Sequence, residues 1–164
     1  MVLKLLDQML KGPGGTERPY TKEEMIELAE AVDLSSLDCG EFHTFNEERY
    51  ARNTIFENEH FELVLICWRA GQASAIHDHG SSWCLYLVID GEFEERLFEL
   101  GADGEPAQTG ARRWKTGEIT VASGGDIHQI ANDTTRDLVT IHIYSAPLKQ
   151  TSKFYTPVPR TNRA

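Results

Sequence analysis

From about residue 50 onwards, the chain is a succession of short apolar segments with no helical period between them. Each segment is rich in valine, isoleucine, leucine or aromatic residues, and glycine, Asn-Asp or Thr-Thr turns separate several of them. About eight short strands without intervening helices are typical of an antiparallel barrel or jelly roll. The segments lie near residues 61–69, 74–79, 83–89, 92–99, 111–115, 118–122, 126–131 and 137–144.

The first 40 residues differ, because their apolar residues recur at helical spacing. One such stripe ends at the turn Gly12-Pro13-Gly14-Gly15. A second helix is predicted from Thr21, which precedes Glu24 by three residues in a capping-box pattern. The length of 164 residues suits one domain with a substantial core. We therefore predict a single domain with N-terminal helices over residues 1–40, a β-barrel over 45–148 and an extended tail over 149–164.

Composition limits the classes of partner. Lys and Arg number 16 and Asp and Glu number 26, which gives a net charge of −10. An acidic surface argues against nucleic acid and anionic membrane, and no apolar run approaches the ~20 residues of a membrane span. The cysteines, Cys39, Cys67 and Cys84, have unrelated spacings that do not suggest a disulfide framework. The N-terminus is too charged for a signal peptide. We expect a cytoplasmic monomer in a reducing compartment.

His77 and His79 stand two residues apart in the predicted strand at 74–79. In an extended strand, residues i and i+2 project from the same face, so the two imidazoles can bind one metal ion. Asp78 between them points to the other face. Imidazole suits iron, zinc, nickel and copper. The pair therefore predicts a metal site that another segment must complete.

The spacing around this pair resembles that of the cupin superfamily. Cys84 follows His79 by five residues, and Gly91 follows seven later, as in the first cupin motif. Most cupins have a glutamate ligand in the place of Cys84. Four residues match the spacing of the second cupin motif: Gly117, Gly125, His128 and Asn132. A Gly-Gly turn that leads into a strand with one imidazole fits a ligand on the inner wall. The predicted metal ligands are therefore His77, His79 and His128.

The last predicted strand alternates between polar and apolar residues. Thr140, His142 and Tyr144 share one face. If that face looked outward, this would be an ordinary solvated strand. Inside a small barrel, the same residues would form a hydroxyl–imidazole–phenol chain. The pattern leaves both alternatives open.

These segments together resemble the thiol dioxygenases, and among them the cysteine dioxygenases. The resemblance lies in CWRAGQASAIHDHGSSWC, in the motif through His128 and in TIHIYSAP. It extends upstream to residues 48–53, which are similar to the family segment that carries the arginine for the substrate carboxylate. It covers roughly residues 45–150 and implies a cupin-type antiparallel β-barrel with short N-terminal α-helices.

The resemblance implies a metal and a substrate. The three predicted ligand histidines would bind Fe(II), and Arg52, with Tyr50 close by, would bind the substrate carboxylate. The implied activity is that of an L-cysteine dioxygenase. Such an enzyme adds both atoms of O2 to the cysteine thiolate and forms cysteine sulfinic acid.

The resemblance also implies three catalytic residues. Tyr144 would hydrogen-bond in the pocket and be held by His142. Cys84 would lie near Tyr144 and form a thioether crosslink with it. Ile66 and Trp68 would line or support the apolar wall.

Three questions stay open. The family commonly has Ser-Pro-Pro where this chain has Ser145-Ala146-Pro147, so either the bend is absent or the surrounding pocket enforces a cis bond. The substrate could be another thiol, such as 3-mercaptopropionate, although family members of that type are expected to carry glutamine at the position of Arg52. A non-enzymatic cupin that binds a metal or a small acid is the alternative from another class.

Overall fold

The computed structural model describes residues 2–12, 17–32, 39–148, 153–156 and 159. Within these residues, two α-helices and a short 3-10 helix precede eight β-strands. The elements are α1 (Val2–Lys11), α2 (Lys22–Ala31), the 3-10 helix Gly40–Phe42, β1 (Ala51–Glu57), β2 (Glu62–Trp68), β3 (Trp83–Asp90), β4 (Glu92–Leu100), β5 (Pro106–Lys115), β6 (Ile119–Ala122), β7 (Ile127–Ala131) and β8 (Leu138–Ser145). No helix of this part of the chain has the length and apolar character needed to cross a bilayer.

The strands form two antiparallel sheets around a shared interior. One sheet has the order β1-β2-β8-β3-β6 and the other β5-β4-β7. Val64 and Tyr86 from the first sheet share a buried cluster with Phe93 and Ile130 from the second. This arrangement confirms the predicted fold class, mainly β and antiparallel with short N-terminal helices.

The helices pack on the outer face of the larger sheet. Leu5 and Met9 of α1 and Met25 of α2 join the outward side chains of β2, Leu63 and Leu65, in a second buried cluster. Both faces of β2 are therefore buried, which explains why its residues 63–68 are continuously apolar instead of alternating. The strands that carry the candidate site are held between two apolar layers.

The start of α2 follows the predicted capping box. The Thr21 hydroxyl accepts a hydrogen bond from the backbone N–H of Glu24 at 3.3 Å, and the Glu24 carboxylate accepts one from the N–H of Thr21 at 2.9 Å. Two of the donors that a helix N-terminus leaves without intrahelical partners are thereby satisfied.

The structure departs from the predicted strands in two places. Strand β1 has no counterpart among the predicted segments, because it is a half-exposed edge strand whose residues lack a clear apolar alternation. The predicted strand at 74–79 is wrong as a regular strand, since this stretch makes only isolated bridges, His77 with His128 among them. The tail, predicted to be extended over 149–164, lies largely outside the described residues.

The loop between β6 and β7 packs closely against the loop that follows His79. The carbonyl oxygen of Gly124 accepts a hydrogen bond from the N–H of His79 at 2.7 Å. A Cβ atom at Gly124 would lie 2.6 Å from the carbonyl oxygen of Ser82 and closer still to that of Gly80, whereas a Cβ at Gly125 would meet nothing within 4 Å. A glycine is thus required at position 124, because the backbone of residues 80–82 lies too close to leave room for a side chain.

We predict that Gly124→Ala destabilises the protein by about 1–3 kcal/mol, as overpacking of a close contact does. Gly125→Ala is the matched control and should melt near the wild-type temperature. Thermal unfolding followed by circular dichroism checks this. Equal melting temperatures of the two variants would contradict the close approach of the two loops.

Candidate active site

Three histidines from two segments converge inside the barrel. His77 and His79 come from the segment before β3, and His128 comes from β7. Each offers one ring nitrogen, and these nitrogens lie within 4.8 Å of one another. At 6%, 1% and 1% exposure, the three rings are buried. They form a cluster of the size that one metal ion can bridge.

The hydrogen bonds of the rings show which nitrogens face the centre. Nδ1 of His77 donates to the carbonyl oxygen of Ala75 at 2.9 Å, which leaves its Nε2 with a lone pair. Nε2 of His79 lies 3.2 Å from Nε2 of His128. Burial, followed by the neighbouring His128, lowers the pKa of His77 to about 3 and that of His79 well below its ordinary value. Neutral imidazoles that share one centre are the donor set that a borderline transition metal requires.

The sequence analysis missed the carboxylate that orients His128. Oε1 of Glu95 on β4 accepts a hydrogen bond from Nδ1 of His128 at 2.9 Å, and Oε2 accepts one from Nε1 of Trp114 on β5 at 2.9 Å. Burial raises the pKa of Glu95, but the hydrogen bonds from His128 and Trp114 and the charge of Arg112 act together to lower it below its ordinary value, so the carboxylate stays ionised. A carboxylate on the far nitrogen fixes the tautomer of a ligand histidine. The available signal was the position of Glu95 on the same strand face as buried Phe93.

Asp78 does not join the cluster. Its side chain points away from the two neighbouring histidines and contacts Lys153 and Tyr155 instead. This is the face that alternation along an extended segment assigns to it.

Strand β8 carries a directed chain of hydrogen bonds. Nε1 of Trp68, which can only donate, bonds to the hydroxyl oxygen of Thr140 at 3.0 Å. That hydroxyl lies 3.0 Å from Nε2 of His142, and Nδ1 of His142 lies 2.9 Å from the phenol of Tyr144. If each group donates to the next, Tyr144 keeps its own hydrogen to donate. All three β8 side chains are buried, so the outward-facing alternative is wrong.

Arg52 reaches the same space from edge strand β1. Its guanidinium carbon lies 5.3 Å from the centre of the Tyr144 ring, and Nη2 donates to Oε1 of Glu62 at 2.7 Å. The Glu62 side chain is 1% exposed and that of Arg52 is 31% exposed. Oε2 of Glu62 has no hydrogen-bond partner among the described residues. The sequence analysis missed Glu62 as the partner of Arg52. The available signal was a charged residue inside the apolar run FELVLICW.

Cys84 and Tyr144 are directly opposite each other on the paired strands β3 and β8. Side chains at such positions have Cβ atoms about 5 Å apart. Burial raises the pKa of the Cys84 thiol well above its ordinary value, so the thiol is protonated. Tyr86, two residues along β3, also hydrogen-bonds to Cys84. Two buried phenols therefore adjoin one thiol.

Some of these groups border one cavity of about 150 Å³. His77, His79, Arg52, His142 and Tyr144 line it, and its apolar walls are Ile66, Trp68, Ile130 and Leu148. Tyr50, stacked on Trp68 with 4.3 Å between ring centres, also lines it. A cavity of this size holds a molecule about as large as benzene. The Ser145–Ala146 bond beside it is cis, so the bend is present despite the missing proline.

Comparison with known proteins gives a family. The profile of cysteine dioxygenase type I matches residues 18–156. Cysteine dioxygenase type 1 of Danio rerio is 31% identical over 140 residues, which are 80% of this chain and 69% of that protein. The Rattus norvegicus protein of the same name is 28% identical over 76% of this chain and 65% of its own length. The Homo sapiens protein is 26% identical over 89% of this chain and 73% of its own length.

Solved structures support the fold alone. A Klebsiella pneumoniae protein with a double-stranded β-helix domain has a TM-score of 0.57 at 18% identity and covers 73% of this chain and 96% of its own. A Thermus thermophilus protein has the same TM-score at 21% identity and covers 68% of this chain and 96% of its own. The predicted cupin-type fold is thereby confirmed.

We predict that Glu95→Gln weakens divalent metal binding about 10–100-fold, because the amide no longer holds His128 in one tautomer. Glu94→Gln is the matched control, since Glu94 bonds to Arg96 instead of to a candidate ligand. Anaerobic titration of metal-free protein with Fe(II) measures both affinities. Equal affinities would show that Glu95 does not act on the metal site.

Proposed function

Because the chain belongs to the cysteine dioxygenase type I family, a family of dioxygenase enzymes, we propose that it converts L-cysteine and O2 to cysteine sulfinic acid with Fe(II). The observation that carries the proposal is a small cavity lined by Arg52 and by two members, His77 and His79, of a buried three-histidine cluster. The reaction is balanced, since the thiol takes up both oxygen atoms of O2 and nothing is released. The cysteines are buried and none of them is in a disulfide, which suits a reducing compartment such as the cytoplasm.

His77, His79 and His128 would hold the iron. Three neutral ligands leave the ion more positive than two histidines and a carboxylate would, which suits a substrate that arrives as a thiolate. When bound, Fe(II) supplies the Lewis acidity that deprotonates the thiol and the electrons that activate O2.

Arg52 would bind the carboxylate of the substrate. Its Nη2 is occupied by Glu62, so its other N–H groups remain to face the cavity. A guanidinium forms charge-assisted hydrogen bonds with a carboxylate, about twice as strong as neutral ones. The Arg52–Glu62 bond holds the guanidinium before the substrate arrives. Less rotational freedom is then lost on binding.

Tyr144 would donate its hydrogen into the cavity. Burial and the nearby Cys84 raise the pKa of Tyr144 well above its ordinary value, so the phenol is protonated at neutral pH. His142, whose pKa is lowered by burial and by Arg52, stays neutral and keeps Tyr144 oriented. The apolar walls exclude water, so a hydrogen bond from this phenol to the sulfur or to an oxygen on it is stronger than in water.

We predict that Arg52→Ala lowers kcat/KM for cysteine by about thirtyfold. A desolvated charge pair is worth about 2–5 kcal/mol, and the partial exposure of Arg52 favours the lower limit. Arg49→Ala, an exposed neighbour, is the control. Cysteamine, which has no carboxylate, should be a poor substrate of the unmutated protein and lose little further in Arg52→Ala. Steady-state O2 consumption measures all of these.

A further variant separates binding from stability. Arg52→Ala alone leaves the Glu62 carboxylate buried without its partner, which destabilises the fold. The double variant Arg52→Ala/Glu62→Gln removes both charges and should melt closer to the wild-type temperature while it stays poor with cysteine. A larger loss of cysteine turnover in Arg49→Ala than in Arg52→Ala would refute the assignment.

We predict that a thioether forms between Cys84 and Tyr144 when the iron-loaded protein turns over. The thiol and one ring C–H each lose a hydrogen to O2, and a sulfur–carbon bond replaces them. The product chain is lighter by two hydrogens and migrates faster under reducing, denaturing conditions. Cys84→Gly and Tyr144→Phe should abolish the fast band and keep the iron, whereas Tyr86→Phe should keep the band. If Tyr86→Phe lost the fast band and Tyr144→Phe kept it, the crosslink would form on Tyr86 and the prediction would be wrong.

A further inference from the structure

Residues 153–156, here called the strap, run antiparallel to the segment that carries His77. The N–H of Asp78 donates to the carbonyl oxygen of Lys153 at 3.0 Å, and the N–H of Tyr155 donates to that of Ile76 at 2.8 Å. Together these two bonds pair the strap with the backbone on either side of His77. The strap therefore follows the edge of the candidate metal site.

Asp78 adds two side-chain bonds to this pairing. Its Oδ1 accepts a hydrogen bond from the N–H of Lys153, and its Oδ2 accepts one from the Tyr155 hydroxyl, both at 2.9 Å. The residue between the two candidate ligands thus uses both carboxylate oxygens to hold the strap. Because the acceptor is charged, each such bond holds the strap more strongly than a bond between neutral groups would.

The strap places one aromatic ring over the cavity. The Phe154 ring stacks on that of His77, with ring centres 5.6 Å apart and an angle of 21° between the planes. Phe154 also lines the cavity, yet it is 56% exposed. The other large apolar residues exposed in the described part of the chain, Ile26 and Leu100, do not border this cavity.

The apolar residues that line the cavity differ in how tightly they are packed. Ile66, Trp68, Ile130 and Leu148 are at most 6% exposed and are packed between the sheets or beside them, so they cannot yield to a longer ligand. Phe154 has protein on one side of its ring and solvent on the other. On the open side, the space that a ligand can occupy is therefore limited by this ring, next to the partly exposed Arg52 and Tyr50.

We propose that Phe154 is a specificity-determining residue, whose ring sets the length of the thiol acid that the cavity accepts. This inference rests on the proposed function, because it concerns the substrate of the same site. Removal of the ring opens the cavity towards solvent and leaves Arg52 and the histidines in place. A thiol acid with one more methylene should gain relative to cysteine.

The test compares cysteine with homocysteine, which keeps the thiol, amine and carboxylate and adds one methylene. In Phe154→Ala, the ratio of kcat/KM for homocysteine to that for cysteine should rise about tenfold or more, the discrimination that one methylene gives in a shaped pocket. Leu100→Ala, an exposed apolar residue away from the site, should leave the ratio unchanged. An unchanged ratio in Phe154→Ala, in a folded protein with full iron content, overturns the proposal.

A second measurement tests the strap without any substrate. Tyr155→Phe removes the hydroxyl that bonds to Asp78, so the strap should open more often and trypsin should cleave after Lys153 roughly fivefold faster. Cleavage is located by mass spectrometry, and Leu100→Ala is again the control. If trypsin cleaved Tyr155→Phe and the unmutated protein at equal rates, the Tyr155–Asp78 bond would not hold the strap. The position of Phe154 over the cavity would then lack its support. Inactivity of the wild type with both thiols would instead reject the proposed function.

Discussion

Two backbone hydrogen bonds between His77 and His128 hold the candidate site together, at 2.9 and 2.8 Å. They tie a segment without regular strand structure to β7, so that two candidate ligands meet the third. The bond from His79 to Gly124 fixes the same segment to the loop that leads into β7. Because these contacts involve backbone atoms, the positions of the imidazoles depend on the pairing of the chain and on a glycine that allows close approach.

A second constraint is that polar groups in the barrel interior must find partners there, because a buried polar group without a hydrogen bond is costly. Trp68, Thr140, His142 and Tyr144 satisfy one another in sequence. Glu95 similarly bridges an indole and a candidate ligand. Since each member hydrogen-bonds to fixed neighbours, these networks orient the groups that face the cavity.

Charge acts locally in this protein. The chain carries a net charge of −10, which opposes the approach of an anionic ligand. Arg52 supplies a cation at the cavity, but Glu62 already neutralises it. Recognition of a carboxylate would therefore depend on well-placed N–H donors more than on net charge. Glu62 weakens the attraction of the site for anions in general. Anions whose oxygens fit the N–H donors of Arg52 are therefore favoured over others.

Much of the fold could be predicted from the sequence, because local patterns determine local structure. The capping box at Thr21, the strand-rich region and the His77–His79 spacing each depend on near neighbours. The family resemblance also pointed to Arg52 and Cys84, and the structure places Arg52 on the cavity and Cys84 opposite Tyr144, which lines it. Where local signals were weak, prediction failed: β1 is an edge strand without alternation, and 74–79 is held by isolated bridges.

Other features were decided by tertiary structure alone. The sequence places Glu95 and Glu62 in strands but does not show their partners, and only the pairing of distant strands brings them to His128 and Arg52. The polar face of β8 could have met solvent, but the central position of this strand buries it. The sequence by itself determined which side chains share a strand face, since that depends on backbone geometry. Which faces meet was settled by sheet order and register, because those contacts join residues far apart in the chain.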